Sequence, residues 1–125
     1  MEAEFAAAHA IVINGVREPL HGHNWRATVT LEGPRTDAEG LLCDFHLVES
    51  VLQRTVARWH NRSLNDLEPF AAGLNPSAEH VARQIADEVA AGVRGKLPAG
   101  VRIASVRITE APSCAATYKP ERDPR

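Results

Sequence analysis

Residues 21–32, HGHNWRATVTLE, constrain the fold more than any other stretch, because their apolar and polar side chains alternate. The apolar side chains share the odd positions: Trp25, Ala27, Val29 and Leu31. Successive strand residues point to opposite sides of a sheet, so this alternation is typical of a strand with one buried face. The sequence therefore predicts a long strand that ends at Gly33-Pro34.

Two histidines lie in the apolar phase of this strand. His21 and His23 share the odd positions and are therefore expected to point inward. A first strand, predicted over residues 3–13, carries His9 in its own inward phase. Three neutral imidazoles that leave one position open form a catalytic type of zinc site. The alternative is three partly buried histidines, each hydrogen-bonded and without a metal.

Two amphipathic stretches follow the predicted strand pair. Residues 45–59 have an apolar stripe with helical spacing, and Asp44 stands at the N-cap position. A second helix is predicted to open at residues 75–77, Asn-Pro-Ser, with either the Asn or the Ser as its cap. It is expected to end near Gly92 or Gly95, since glycine is favoured just beyond a helix.

Two further strands are predicted near the C-terminal end. Residues 101–108 form the third strand, and a slip of apolar phase between Ile103 and Val106 predicts a β-bulge. Residues 115–118 form a short fourth strand. The element order predicts an α+β fold, in which one antiparallel four-stranded sheet packs both helices on one face.

Bulk properties narrow the class of function. The 125 residues are expected to form one domain over residues 1–120, followed by a frayed tail at 121–125. A net charge of -2 argues against nucleic-acid binding, and no apolar run is long enough for a membrane span. The acidic start, MEAEF, is unlike a secretion signal, which favours a cytoplasmic protein. Two cysteines are predicted to be buried free thiols: Cys43 and Cys114.

Six segments resemble the 6-pyruvoyl-tetrahydropterin synthase and 6-carboxy-tetrahydropterin synthase family in order and spacing. They are FAAAH at 5–9, LHGHNW at 20–25, GLLCDF at 40–45, SLND at 63–66, NPSAEHVA at 75–82 and ITEAPSCAATY at 108–118. The resemblance implies the tunnelling fold, with element order ββααββ. It also implies a homo-oligomer, a trimer or a hexamer, in which subunits join their sheets into a barrel.

The same resemblance implies roles for particular residues. It makes His9, His21 and His23 the ligands of a Zn²⁺ ion. It makes Glu110 the carboxylate that holds the guanidine-like edge of a pterin, since a carboxylate can accept two parallel N–H donors. The implied activity is a zinc-dependent carbon–oxygen or carbon–carbon lyase that acts on the side chain of dihydroneopterin triphosphate or a related reduced pterin.

The acid–base residues of the family are replaced in this chain. Arg17 stands where the family usually has a Cys, four residues before the first His of HGH. Glu18 follows it, and a subgroup of the family uses a Glu near this place. His60 and Asn61 stand where the family has an Asp-His pair, and Asn cannot transfer a proton. Glu18 and His60 are therefore the catalytic candidates, against the alternatives of an exposed loop charge and a helix-end histidine.

Three hypotheses follow from this mixture of retained and replaced residues. The first is a zinc-dependent lyase in which Glu18 or His60 transfers protons. The second is a non-catalytic or catalytically redirected pterin-binding homologue, which binds a pterin tightly but gives no product from the family's substrates. A third, a metal-dependent hydrolase of other small molecules, fits the histidines but does not explain Glu110.

Overall fold

The computed structural model describes residues 1–122. They form a five-stranded sheet, a separate two-stranded sheet and two α-helices. In chain order the elements are β1 (Glu2–His9), β2 (Val12–Ile13), β3 (Val16–Arg17), β4 (His21–Glu32), α1 (Phe45–Ala57), β5 (Arg62–Ser63), α2 (Ala78–Gly92), β6 (Arg102–Ala111) and β7 (Cys114–Tyr118). Of the expected tail at 121–125, residues 123–125 lie outside the described part.

The strand order across the sheet is β5-β1-β4-β6-β7. The four longer strands pair antiparallel, and β5 adds a two-residue parallel strand beside β1. The apolar face of the sheet packs against α1 and α2 in one core. The predicted α+β architecture of four antiparallel strands and two helices is confirmed, with β5 as an unpredicted addition.

The first strand is shorter than the sequence pattern predicts. β1 ends at His9, and the predicted extension to residue 13 is wrong. Asn14 and Gly15 adopt positive φ angles of 52° and 78°, which closes a tight hairpin between β2 and β3. The hairpin draws the chain out of the sheet, and its apolar residues Val12 and Ile13 are exposed.

The predicted β-bulge is present where β6 pairs with β4. Thr30 lies opposite Ser105, whereas the next residue, Leu31, lies opposite Ile103, so one residue of β6 has no partner in the ladder. The extra residue shifts the alternation of inward and outward side chains in β6 by one position. Both Ile103 and Val106 are therefore buried on the helix side.

Both helices begin at caps that the sequence identifies. The Asp44 side chain accepts a hydrogen bond from the backbone N–H of His46. Ser77, one of two candidates for the second cap, accepts one from the backbone N–H of His80. Within residues 1–122, neither helix is both long and apolar enough to cross a membrane.

The two cysteines differ in environment. Both are free thiols, and Cys43 is buried as predicted. Cys114 is exposed, so the prediction for it is wrong. The reason is that Cys114 follows the turn between β6 and β7, which faces solvent.

Leu52 provides a test of the core, because its side chain on α1 is fully buried. We expect Leu52→Ala to lower the free energy of unfolding by about 2–5 kcal/mol, from lost transfer free energy and the cavity left behind. Urea unfolding followed by circular dichroism measures the change. Leu41→Ala is the matched control, since Leu41 is about half exposed, and equal stability of the two variants would contradict this packing.

Candidate metal centre and its flanking carboxylates

Three histidines meet at one end of the β1–β4 pair. His9 lies directly opposite His21 in the antiparallel register, and His23 lies two residues further along β4 on the same face. One ring nitrogen from each lies within 4.8 Å of the others. The sheet register therefore brings together the three residues that the strand phases select.

Backbone carbonyls orient two of these rings. The Nδ1 atom of His9 lies 2.8 Å from the carbonyl oxygen of Pro76, and that of His21 lies 2.9 Å from the carbonyl oxygen of Pro19. A carbonyl oxygen only accepts, so each Nδ1 carries the hydrogen. In the neutral ring, Nε2 then has the free lone pair that a metal requires.

Two of the three Nε2 atoms of the cluster, those of His9 and His23, are buried. His9 is only 1% exposed. Among residues 1–122, the Nε2 atoms of His9 and His23 have no hydrogen-bond partner. A buried polar atom without a partner costs free energy, so a native structure normally supplies one.

Burial favours the neutral form of the His23 imidazole. Desolvation is the largest influence and lowers its pKa below the ordinary value of 6.5. The neighbouring rings of His9 and His21 lower the pKa further, while the carboxylate of Glu110 acts in the opposite direction. A lowered pKa means that the ring stays unprotonated as the pH falls to 6.5, and only the unprotonated ring binds metal.

This donor set fits a divalent metal such as zinc. Neutral imidazoles are preferred zinc ligands, and three of them leave a fourth tetrahedral position for water or substrate. A metal at this point would satisfy the two buried nitrogens that lack partners. The cluster is therefore a candidate metal centre with one open position.

Glu18 lies beside this cluster. The β2–β3 hairpin carries it there, and its backbone N–H donates to the carbonyl oxygen of Ile11 at 2.9 Å. The Oε1 atom lies 4.0 Å from Nε2 of His21 and is buried without a hydrogen-bond partner in the described chain. The side chain is 32% exposed, so Glu18 is a half-buried carboxylate at the cluster rather than a free loop charge.

Glu110 is the second carboxylate close to the cluster. It lies on β6 in the inward phase of Val106 and Ile108. Its Oε2 atom lies 3.7 Å from Nε2 of His9, and its side chain is 25% exposed. The two carboxylates therefore each approach a ring nitrogen that is free to bind metal.

A comparison with known families identifies the relatives of this chain. A family model described as 6-pyruvoyl tetrahydropterin synthase matches residues 1–121. The chain belongs to the 6-pyruvoyl tetrahydropterin synthase family. The 6-carboxy-5,6,7,8-tetrahydropterin synthase of Bacillus subtilis is 29% identical over 127 residues, covering 97% of this chain and 84% of the relative.

Solved structures of family members share the fold. The Caenorhabditis elegans 6-pyruvoyl tetrahydropterin synthase superposes with a TM-score of 0.81 at 20% identity, over 97% of this chain and 93% of that chain. An alanine variant at a catalytic residue of the Plasmodium vivax 6-pyruvoyltetrahydropterin synthase, a glutamate, gives 0.70 at 18% identity, over 94% of each chain. The likeness extends over nearly the whole length of both structures.

His60, the other catalytic candidate in this member of the family, is held beside Ala6 of β1. Its Nδ1 accepts a hydrogen bond from the backbone N–H of Ala6 at 3.0 Å, and its side chain is exposed. Ala6 precedes His9 by three residues of β1, which is about 10 Å of strand. In the described residues its ring makes no hydrogen bond to the three histidines, but His60 lines one cavity together with His23 and Glu110.

Three further residues support the site through hydrogen bonds that the sequence does not predict. Pro76 supplies the carbonyl oxygen that fixes the ring of His9. Asn65 and Asn75 bind the backbone immediately after His9. Asn65 has no signal in the sequence beyond its place in the family-like segment SLND, and Asn75 is expected there only as a candidate cap of the second helix.

Proposed function

We propose that the protein is a zinc-dependent lyase that acts on the side chain of dihydroneopterin triphosphate or a related reduced pterin. One observation carries the proposal: in the described residues, two buried imidazole nitrogens without hydrogen-bond partners converge with a third ring near two carboxylates. The family and the pterin synthase activities of its named relatives support the substrate class.

His9, His21 and His23 would hold the Zn²⁺ ion through their Nε2 atoms. When bound, zinc supplies a Lewis acid that polarises a side-chain hydroxyl or carbonyl of the substrate. The carbonyl groups of Pro19 and Pro76 keep two of the rings in the tautomer that presents Nε2.

Glu18 would accept a proton from a side-chain carbon of the substrate. Its carboxylate lies close to Nε2 of His21, within reach of a substrate group that occupies the open position of the metal. The Plasmodium vivax family member, in which a glutamate is a catalytic residue, supports a carboxylate in this role. His60 remains the second candidate, although its hydrogen bond to Ala6 favours Glu18.

Glu110 would contact the substrate close to the metal. Its carboxylate is only 3.7 Å from a ligating nitrogen of His9. The guanidine-like edge of a pterin lies at the far end of the ring system from the side chain that would meet the metal. The distance therefore favours contact with the side-chain end of the substrate over the ring edge that the family resemblance implies.

We further propose a ring-shaped homo-oligomer, a trimer or a hexamer, in the cytoplasm. β5 and β7 are the end strands of the sheet among residues 1–122. Pairing between subunits would cover such edges. We also propose one domain over residues 1–120, which the family match over residues 1–121 supports.

The experiment that tests the function is a turnover assay of the zinc-loaded protein with dihydroneopterin triphosphate. The pterin products are separated by chromatography and identified by mass spectrometry. We expect a pterin with an altered side chain, and loss of that product after a chelator removes zinc. Tight pterin binding without any product would instead support the non-catalytic homologue.

Glu110→Gln tests the substrate contact. The change keeps the shape of the side chain and removes its charge, so a charge-assisted hydrogen bond to substrate is weakened. We expect kcat/KM to fall by about 10–100-fold, the equivalent of about 1.5–3 kcal/mol. Steady-state kinetics measure the change. Glu39→Gln, in an exposed loop, is the matched control, and an unchanged kcat/KM for Glu110→Gln would refute the contact.

A further inference from the structure

Asparagine side chains bind the backbone groups of Ala10 and Val12 in the segment that follows His9. The backbone N–H of Ala10 donates to Oδ1 of Asn65 at 2.8 Å, and Nδ2 of Asn65 donates to the carbonyl oxygen of Ala10 at 2.9 Å. One side-chain amide thus satisfies both backbone groups of the residue next to His9.

Asn75 repeats this arrangement two residues later. The backbone N–H of Val12 donates to Oδ1 of Asn75 at 2.9 Å, and Nδ2 of Asn75 donates to the carbonyl oxygen of Val12 at 3.1 Å. Between the two clamped residues, the carbonyl oxygen of Ile11 accepts the backbone N–H of Glu18. Residues 10–12 therefore continue the chain directly from His9, and their central residue, Ile11, is hydrogen-bonded to the backbone of Glu18.

A carboxamide suits this task because it offers one acceptor and one donor in a single plane, as a peptide group does. Alanine offers neither, and aspartate offers only the acceptor. Each asparagine therefore serves as a one-residue substitute for a neighbouring strand, at a point where β1 has already ended.

We propose that Asn65 and Asn75 are positioning residues that fix the two sides of the metal centre relative to each other. The inference rests on the proposed function and deepens it. Asn65 acts on His9 through Ala10, so it sets the position of a metal ligand. Asn75 acts on Glu18 through Val12 and Ile11, so it sets the position of the proton-transfer group.

The test compares Asn65→Ala and Asn75→Ala in the full chain. Cobalt(II), whose visible absorption reports its coordination, probes the metal site by titration. We expect Asn65→Ala to weaken cobalt affinity by about 10-fold, the low end of the range for loss of a group that contacts a ligand directly, because Asn65 acts through the backbone of Ala10. We expect Asn75→Ala to retain cobalt affinity and to lower kcat for the pterin substrate by about 10–100-fold with little change in KM.

Two further variants separate positioning from general destabilisation. Asn75→Asp keeps the acceptor for Val12 N–H but puts a carboxylate oxygen against the Val12 carbonyl oxygen, so it should lower kcat at least as much as Asn75→Ala. Asp37→Ala removes two side-chain hydrogen bonds, to the backbone N–H groups of Glu39 and Leu41, in the loop beyond the far end of β4. It should change neither cobalt affinity nor kcat.

Amide hydrogen exchange at Glu18 provides a readout that needs neither metal nor substrate. Faster exchange in Asn75→Ala than in wild type would support the positioning role. Unchanged exchange at Glu18, or unchanged cobalt affinity in Asn65→Ala, would overturn the inference. Failure of the wild-type protein to bind cobalt would instead refute the proposed function, and the exchange experiment would still decide the role of Asn75.

Discussion

Replacing His21 with alanine is expected to abolish tight zinc binding while the fold persists. The change removes one of three proposed ligands, so the loss of affinity should exceed the roughly 10–100-fold typical of an outer-shell partner. His21 is the best choice for the test because its side chain is 39% exposed, whereas the buried ring of His9 also contributes to the core. Competition titration against a chromophoric chelator measures the affinity.

The control for this result is His46→Ala. The side chain of His46 is 95% exposed, and its Nδ1 atom lies 3.2 Å from the carboxylate of the cap residue Asp44. Circular dichroism should show folded protein for both variants, with zinc affinity retained only in His46→Ala. Equal zinc affinity in the His21 and His46 variants would show that the metal, if bound, lies elsewhere.

Glu18→Gln is expected to lower kcat by about 10²–10⁴-fold, the usual contribution of a general acid or base. Glutamine has the same size but cannot accept the proton at neutral pH. Zinc content should be unchanged, because the three proposed ligands are intact. Steady-state turnover of dihydroneopterin triphosphate, with zinc measured by mass spectrometry, provides both readouts.

Comparison with His60→Ala assigns the proton transfer to one of the two candidates. A loss confined to Glu18→Gln would assign it to Glu18. A loss confined to His60→Ala would move the assignment to His60, which lines one cavity with His23 and Glu110. Glu39→Gln again controls for the loss of a surface charge.

Local sequence patterns were sufficient to predict the main elements of the fold. Alternation in β4 predicts which side chains face the helices, and Trp25, Ala27 and Val29 are buried as expected. The residue at which β1 ends could not be predicted from this alternation. Its apolar phase continues to Ile13, but side chains from distant loops take the backbone groups of Ala10 and Val12. β5 escaped prediction because two paired residues leave no periodic signal.

Part of the candidate site was predictable from the alternation of side chains along the strands. Phase alone selects His9, His21 and His23, since strand residues of one phase share a face. The approach of Glu18 to His21 depends on the hairpin geometry, and Asn65 and Asn75 act over about 55 to 63 residues of chain separation. Contacts of that range follow from the completed fold and have no local signature in the sequence.

The most direct test of the metal centre is X-ray absorption at the zinc edge of the zinc-loaded protein, together with anomalous diffraction that locates the ion. The account predicts one zinc ion with a nitrogen of each of His9, His21 and His23 at about 2.0–2.1 Å. A zinc ion bound to other residues, or three imidazoles turned away from a common point, would contradict it.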